Sequence, residues 1–526
     1  MKSRKILNVI CLIFVINMAR SQSSHWSKLF DTHSTMDLGS SMPTNVIVDD
    51  ENILIPVVEK DHLNFYKLNG NGEVIQSLNT NYASGQFTTM ISLEESYAII
   101  FDNAPQGPAP VYRLLYLNKN LEVIDEHHLD LPGNTALSRV LTLFKINNQL
   151  YFTASDYSNE TYSLLSVSNN NELTLKFSGA FSVSQDKVDV LPNGNIVVDY
   201  EYEKFHTLKC INPLSGLLVW EKNYGIGNEM DLGYRKSINE LGQIFLARHV
   251  RKWDENSQQK DGIYLQKINS DSGDIMMSKT LNIEKDGAVR LEELQFDNTT
   301  QSLYITYLSY AIVSEIVFSK LDASCNVLNQ VVIPAPDNKN SSSPIFRKSK
   351  LKLKGDGSVI LVYRSFKNPL EMENLNLNLY SPHFELENTA ELNIPNKNGD
   401  EICTDIEVMN DKIVISGFVP NTNPSMFWEK MQHFVAMVDL TENLTLNGVQ
   451  NSNGVSIEPN PVKNTLTLKS EYVFNELTIY NQSGQCMVNL KNPGKTIDVS
   501  QLSSGAYLIK IIGIKNNTTT LKFIKS

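Results

Sequence analysis

Residues 208–220 read Leu208-Lys209-Cys210-Ile211-Asn212-Pro213-Leu214-Ser215-Gly216-Leu217-Leu218-Val219-Trp220. Polar and apolar residues alternate up to Ile211, a turn of Asn, Pro, Ser and Gly follows, and a second apolar segment ends on Trp220. Period-two alternation around an Asn/Gly turn predicts an antiparallel hairpin, because strand side chains alternate between faces and tight turns need these residues. The same order recurs at residues 63–68 before Asn69-Gly70-Asn71-Gly72, 112–117 before Asn118-Lys119-Asn120 and 263–268 before the turn at 269–273. It recurs again at 316–321 before Asp322-Ala323-Ser324 and at 434–438 before the turn at 439–443.

Ahead of such hairpins stand short apolar strands: Ile53-Leu54-Ile55, Tyr97-Ala98-Ile99-Ile100, Leu150-Tyr151-Phe152, Ile196-Val197-Val198, Ile244-Phe245-Leu246, Leu303-Tyr304-Ile305, Val359-Ile360-Leu361-Val362 and Ile413-Val414-Ile415. Their spacing runs from 44 residues (Ile53 to Tyr97) to 59 (Ile244 to Leu303), the length of four short strands with their turns. No helical periodicity of useful length competes. The expectation is an all-β fold of eight copies of one antiparallel sheet. Trp220 precedes Met230-Asp231-Leu232-Gly233 by ten residues, and Trp26 precedes Met36-Asp37-Leu38-Gly39 by the same ten. Since Trp220 ends one copy, the residues from Trp26 to Phe30 should be an outer strand that completes the last copy and closes a ring.

Over residues 22–446 these features resemble β-propellers of the divergent quinoprotein-like and WD40-like kind. Gly216-Leu217-Leu218-Val219-Trp220 is similar to the Gly-x-x-x-Trp outer strand of quinoprotein-like blades. The resemblance implies a closed propeller of eight blades, with seven as the competing count. Closure removes the exposed edges that many short strands would otherwise present.

The two ends read as addresses. Residues 1–21 carry Lys2, Arg4 and Lys5, an apolar run from Ile6 to Met18, and Ala19-Arg20-Ser21, the three-part pattern of a cleaved secretory signal peptide. That run is too short for a membrane span, which needs ~20 residues, and no other stretch approaches one, so no transmembrane segment is expected in the mature chain. After an Asn/Ser/Gly linker at 447–454, residues 455–526 predict a small Ig-like β-sandwich of five to seven strands. In order they carry Pro459-Asn460-Pro461, the turn at Tyr480-Asn481 with Gly484, the Leu502-Ser503-Ser504-Gly505-Ala506-Tyr507 turn, and Lys522 and Lys525 near the C-terminus. These motifs resemble the C-terminal sorting domain (type A) of proteins exported by the type IX secretion system of Bacteroidetes. The resemblance implies recognition by that machinery and a destination on the outer-membrane surface or outside the cell.

The whole chain has 526 residues, 46 Lys and Arg against 58 Asp and Glu, and a net charge of −12. Residues 1–21 hold four basic and no acidic residues, and 455–526 eight Lys against four acids; the 34 basic and 54 acidic residues left between them give −20. So acidic a cargo excludes nucleic acid as a partner. Five cysteines at 11, 210, 325, 403 and 486 have no metal-ligand spacing and form no disulfide framework. His127-His128 with Asp130 offers ligand atoms, but alternation sends the two rings to opposite faces. No metal and no cofactor is expected, and no catalytic motif is found.

In a propeller, the loops between second and third strands meet, on one face, those that join blades. Tyr200, Tyr202, Arg248, Arg251, Trp253, Arg364 and Trp428 are expected there. Converging aromatic and Arg side chains suit a glycan or peptide ligand, although packing between blades would use the same residues. The expected function is an extracellular binding or interaction module. The alternative is a carbohydrate-active hydrolase or lyase using Asp/Glu pairs on that face.

Overall fold

The structure is a computed structural model. It describes residues 26–30, 45–59, 62–82, 88–103, 111–131, 138–156, 158–168, 170–180, 188–202, 205–225, 230–253, 259–281, 289–309, 315–334, 349–365, 374–392, 394, 402–420, 431–439, 456–458, 462–469, 474–481, 486–503, 505–513 and 518–525. The expected signal peptide, the linker 447–454, residues 36–39, Trp428, Pro459-Asn460-Pro461 and Gly484 lie outside these. The chain divides into two compact units, Met1–Thr441 and Glu442–Ser526.

Within the first unit, the described residues form eight four-stranded antiparallel sheets. Numbered along the chain, they cover residues 47–78, 88–129, 138–180, 188–223, 230–281, 289–334, 349–392 and 402–439. Strands follow chain order in the first seven. In sheet 8 the fourth place, beside Met431–Asp439, is taken by Trp26–Phe30, with Phe30 opposite His433 and Trp26 opposite Met437. Each sheet touches the next, and the first strand of sheet 8 also touches that of sheet 1. This is a β-propeller.

The apolar strands picked out by the sequence are the second strand of each sheet. Asn52–Glu59 and Ser302–Ser309 are buried almost end to end, because sheets cover both of their faces. Outermost strands such as Val74–Leu78 and Leu217–Asn223 are largely exposed. In all seven sheets with a continuous chain, a bulge shifts the register between third and fourth strands. A bulge adds local twist and splays the outer strand.

The turn beside that bulge is what joins one sheet to the next. Trp220 Nε1 donates to the Ser270 carbonyl at 2.7 Å, and its ring lies on Gly273, where a Cβ would approach Trp220 Cε3 to 2.7 Å. Trp26 Nε1 donates to the Gly70 carbonyl at 3.1 Å, and its ring covers Gly72 in the same way. The two tryptophans are thus equivalent, as their shared spacing to Met-Asp-Leu-Gly suggests. Three third-strand lysines replace the indole elsewhere: Lys67 Nζ reaches the Lys119 carbonyl (2.8 Å), Lys267 that of Ala323 (3.5 Å) and Lys320 that of Pro382 (2.5 Å). At the left-handed position of these turns, Leu121, Cys325 and Phe384 stand where Gly72 and Gly273 do, and each buries its side chain. Burial of an apolar side chain offsets the ~1 kcal/mol cost of that backbone.

The second unit is a seven-stranded sandwich. Ser456–Glu458, Thr465–Lys469 and Thr496–Asp498 form one sheet; Cys486–Lys491, Phe474–Tyr480, Gly505–Gly513 and Thr518–Lys525 form the other. Their inner faces share one core that includes Val462, Leu466, Leu477, Ile509 and Phe523.

Candidate functional site

Strand parity puts all second-to-third connections and all links between sheets at one end of the ring. Below that end, where sheets 4 and 5 meet, lies a dense cluster of ionisable side chains. Asp231, at a bulge in Met230–Ile238, accepts the Arg248 guanidinium on both oxygens (Nη2–Oδ1 2.6 Å, Nε–Oδ2 3.3 Å) and the His206 backbone N–H at 3.0 Å. Arg248 Nη1 also donates to the Tyr224 carbonyl. Arg248, expected among the loops, therefore sits inside the strand Ile244–Trp253 at 0% exposure and ties sheet 5 to the chain leaving sheet 4. That is the packing role the sequence analysis allows beside ligand binding.

Next to it, Lys236 bridges Asp199 of sheet 4 and Asp189 on that sheet's first strand, the latter at 2.9 Å. Burial alone would make this ammonium less basic, but the two carboxylates outweigh it and hold Lys236 charged. Burial pushes the Asp199 carboxyl up despite Lys236. The His206 ring lies against that of Tyr234, tilted by 36° at 3.5 Å between centroids, and neither ring nitrogen has a hydrogen-bond partner among the described residues. Burial, then Lys236 and Arg248, holds its basicity well below that of a free imidazole, so it is neutral.

Arg251 is half-buried and forks onto Asp261 (Nε–Oδ1 2.9 Å, Nη2–Oδ2 3.0 Å), whose other neighbour is His249 at 3.5 Å. Arg364 is buried on Val359–Ser365 in register with Leu375. Tyr200 and Tyr202 lie in Ile196–Tyr202, and Trp253 ends its strand opposite Gln259. The structure brings Arg248 and Arg251 together on one strand with Trp253, while Arg364 stands two sheets away.

Two further carboxylates with raised pKa face the inner strands. Burial pushes up Glu292, which accepts the Ser349 N–H of sheet 7 (3.3 Å), and Asp405, which accepts the Val46 N–H of sheet 1 (3.0 Å). Each thus satisfies a backbone amide of the neighbouring sheet, which explains its burial without catalysis. His127 and His128 diverge as expected, to Asp125 (2.7 Å) and Asp130 (3.0 Å). Among the described residues no cluster of three or more His, Cys, Asp or Glu could hold a metal, and no helix is long and apolar enough to cross a membrane.

Sequence reasoning missed the part played by His206, Asp231 and Lys236. Asp231 lies in the Met-Asp-Leu-Gly stretch that is read for topology, and its carboxylate pairs with Arg248.

In the second unit, Tyr507 is buried, stacks on Phe523 (5.5 Å) and donates its hydroxyl to the Ser503 carbonyl at 2.9 Å. Gly505 pairs with Lys525, and Leu508 with Lys522. The described motif residues thus form the frame of the sandwich.

The chain is therefore a β-propeller followed by a sandwich that carries a type IX sorting sequence. Residues 456–526 match the family described as "Secretion system C-terminal sorting domain". A tail of this kind indicates export to the cell surface or the extracellular space, and it implies interaction with the type IX machinery. Among curated proteins none matches the chain. Similar solved structures include the Dos1 propeller (8% identity, 76% of this chain and 96% of that one, TM-score 0.42) and dihydro-heme d1 dehydrogenase NirN (12%, 79% and 80%, TM-score 0.41). Another is PorZ, a surface component of the type-IX secretion system of Porphyromonas gingivalis (11%, 92% and 82%, TM-score 0.25).

Proposed function

We propose that this protein is an exported binding module whose signal peptide, residues 1–21, is removed and whose propeller engages a glycan or peptide through its loop face. The observation that carries the reading is the sorting domain at 456–526, which makes the acidic propeller the cargo. The ionisable cluster below the loop face supports it: Lys236 pairs with carboxylates of sheet 4, and Arg248, held by Asp231, donates to the chain leaving that sheet, which stiffens the scaffold on which loops are displayed. Deleting residues 454–526 should leave the protein in the periplasm, and arrival at the surface without them would refute the export reading. The mature full-length chain on glycan and peptide arrays should retain a ligand class, and binding to none would refute the binding reading.

A further inference from the structure

At the seam between sheets 4 and 5, one amine is sealed in with two carboxylates. Lys236, on Met230–Ile238, and Asp199, on Ile196–Tyr202, each leave only 2% of the side chain exposed. Lys236 Nζ donates to Asp199 Oδ1, and the more open Asp189 places its Oδ2 2.9 Å from the same nitrogen. In other lysine pairs of the ring the ammonium reaches water, as in Lys350 with Glu293 and Lys352 with Glu407. The neighbouring Arg248–Asp231 pair is as deeply buried, but a guanidinium keeps its proton and is no nucleophile.

A sealed ammonium–carboxylate contact is also the precursor of an amide. A nitrogen in hydrogen-bond reach of a carboxylate oxygen stands about 3–3.5 Å from the carboxyl carbon, a near-attack separation, and fixed groups react as though at about 10⁵ M or more. Condensation removes both charges and so relieves the desolvation of two buried ions. Exclusion of water slows the reverse hydrolysis. Burial also pushes the Asp199 carboxyl toward its protonated form, the form an amine attacks.

We propose that Lys236 and Asp199 form an intramolecular isopeptide bond, with Asp189 as the proton carrier. Asp189 takes one ammonium proton, and the freed amine attacks Asp199 Cγ. The C–N bond forms as one C–O bond of Asp199 breaks, and the two protons lost by nitrogen, one of them through Asp189, leave with that oxygen as water. Ammonium and carboxylate become amide and water, Asp189 ends as it began, and nothing is oxidised or reduced. The bond clamps sheet 4 to sheet 5 where the first strand of sheet 4, Val188–Val190, has only three residues. It joins positions 37 residues apart, and a cross-link of that span restricts the unfolded chain as a disulfide does. Cys210, Cys325 and Cys403 of the propeller are free and give no such tie. The inference is independent of any ligand at the loop face.

The test is mass spectrometry of the mature full-length chain, held folded at neutral pH. The parent should weigh one water less than its sequence. Trypsin should release a branched peptide joining residues 188–204 to 236–248, with fragmentation placing the branch on Asp199 and not on Asp189. A cyclic imide also loses water but gives no branch. Lys236→Arg keeps a cation in the pair but cannot condense, and should show its full mass and unbranched peptides. Asp189→Asn leaves Lys236 and Asp199 in contact, and its cross-linked fraction at equal times after synthesis should be lower by about tenfold or more. Full sequence mass in the folded parent, a branch on Asp189, or the same loss of water in Lys236→Arg would each overturn the proposal. Cross-linking of Asp189→Asn at the parent's pace would overturn the role of Asp189. The parent's mass and branched peptide decide the bond even where a variant fails to fold.

Discussion

Replacing Arg248 with Met tests whether this residue holds the scaffold or reaches for a ligand. The guanidinium is fully buried, makes its 2.6 Å contact with Asp231 and donates to the Tyr224 carbonyl. Met fills a similar volume, so the cavity term is small, and what remains is a buried carboxylate with only the His206 N–H for a partner. Breaking a buried pair from one side costs about 3–5 kcal/mol. Asp231→Leu strands the guanidinium and should cost as much. The double variant Arg248→Met/Asp231→Leu removes both charges, orphans only the Tyr224 carbonyl and His206 N–H, and should lose no more than either single change. The coupling energy is then about 3 kcal/mol or more. Guanidinium unfolding of the mature chain followed by tryptophan fluorescence reads all three differences, provided the slopes agree. An Arg248→Met protein within about 1 kcal/mol of the parent that has lost ligand binding would refute the structural role and restore Arg248 to the loop face.

Gly273→Ala should cost about 2–4 kcal/mol, from a left-handed alanine and a Cβ driven into Trp220. Gly194→Ala has a similar φ of 81° with nothing within 4 Å, so it should cost only about 1 kcal/mol. Equal losses would remove the indole from the argument. His433 is buried opposite Phe30, its Nε2 lies 2.7 Å from Ser416 Oγ, and burial pushes its pKa from 6.5 down to about 4. A base depressed by folding contributes stability above its unfolded pKa, and that contribution is lost as pH falls from 6.5 to 4. The expected loss is about 3 kcal/mol, in the same direction as for His206. A His433→Gln variant should show a shallower fall in denaturation midpoint between pH 7 and 4.5, and an unchanged slope would exclude His433 as its origin.

Strands were legible because each sheet needs an apolar strand covered on both faces, and Ile53-Leu54-Ile55 or Ile413-Val414-Ile415 can serve little else. The place of Trp26–Phe30 was legible too, since a tryptophan ten residues before Met-Asp-Leu-Gly has a second copy to be compared with. Both sorting motif and charge division were written in local order. The role of Arg248 was not, because its partner Asp231 lies 17 residues away and on a strand whose bulge alone turns the carboxylate toward it. Asp199 and Lys236 are 37 residues apart and meet only when sheets 4 and 5 stack. Local sequence places residues 248–253 near a loop; whether a side chain there faces water or a neighbouring sheet depends on strand length and sheet spacing. Those are properties of the packed ring, so the chain by itself determined its repeat, its closing strand and its export address, while tertiary packing decided which charges hold the ring together and which remain at its face.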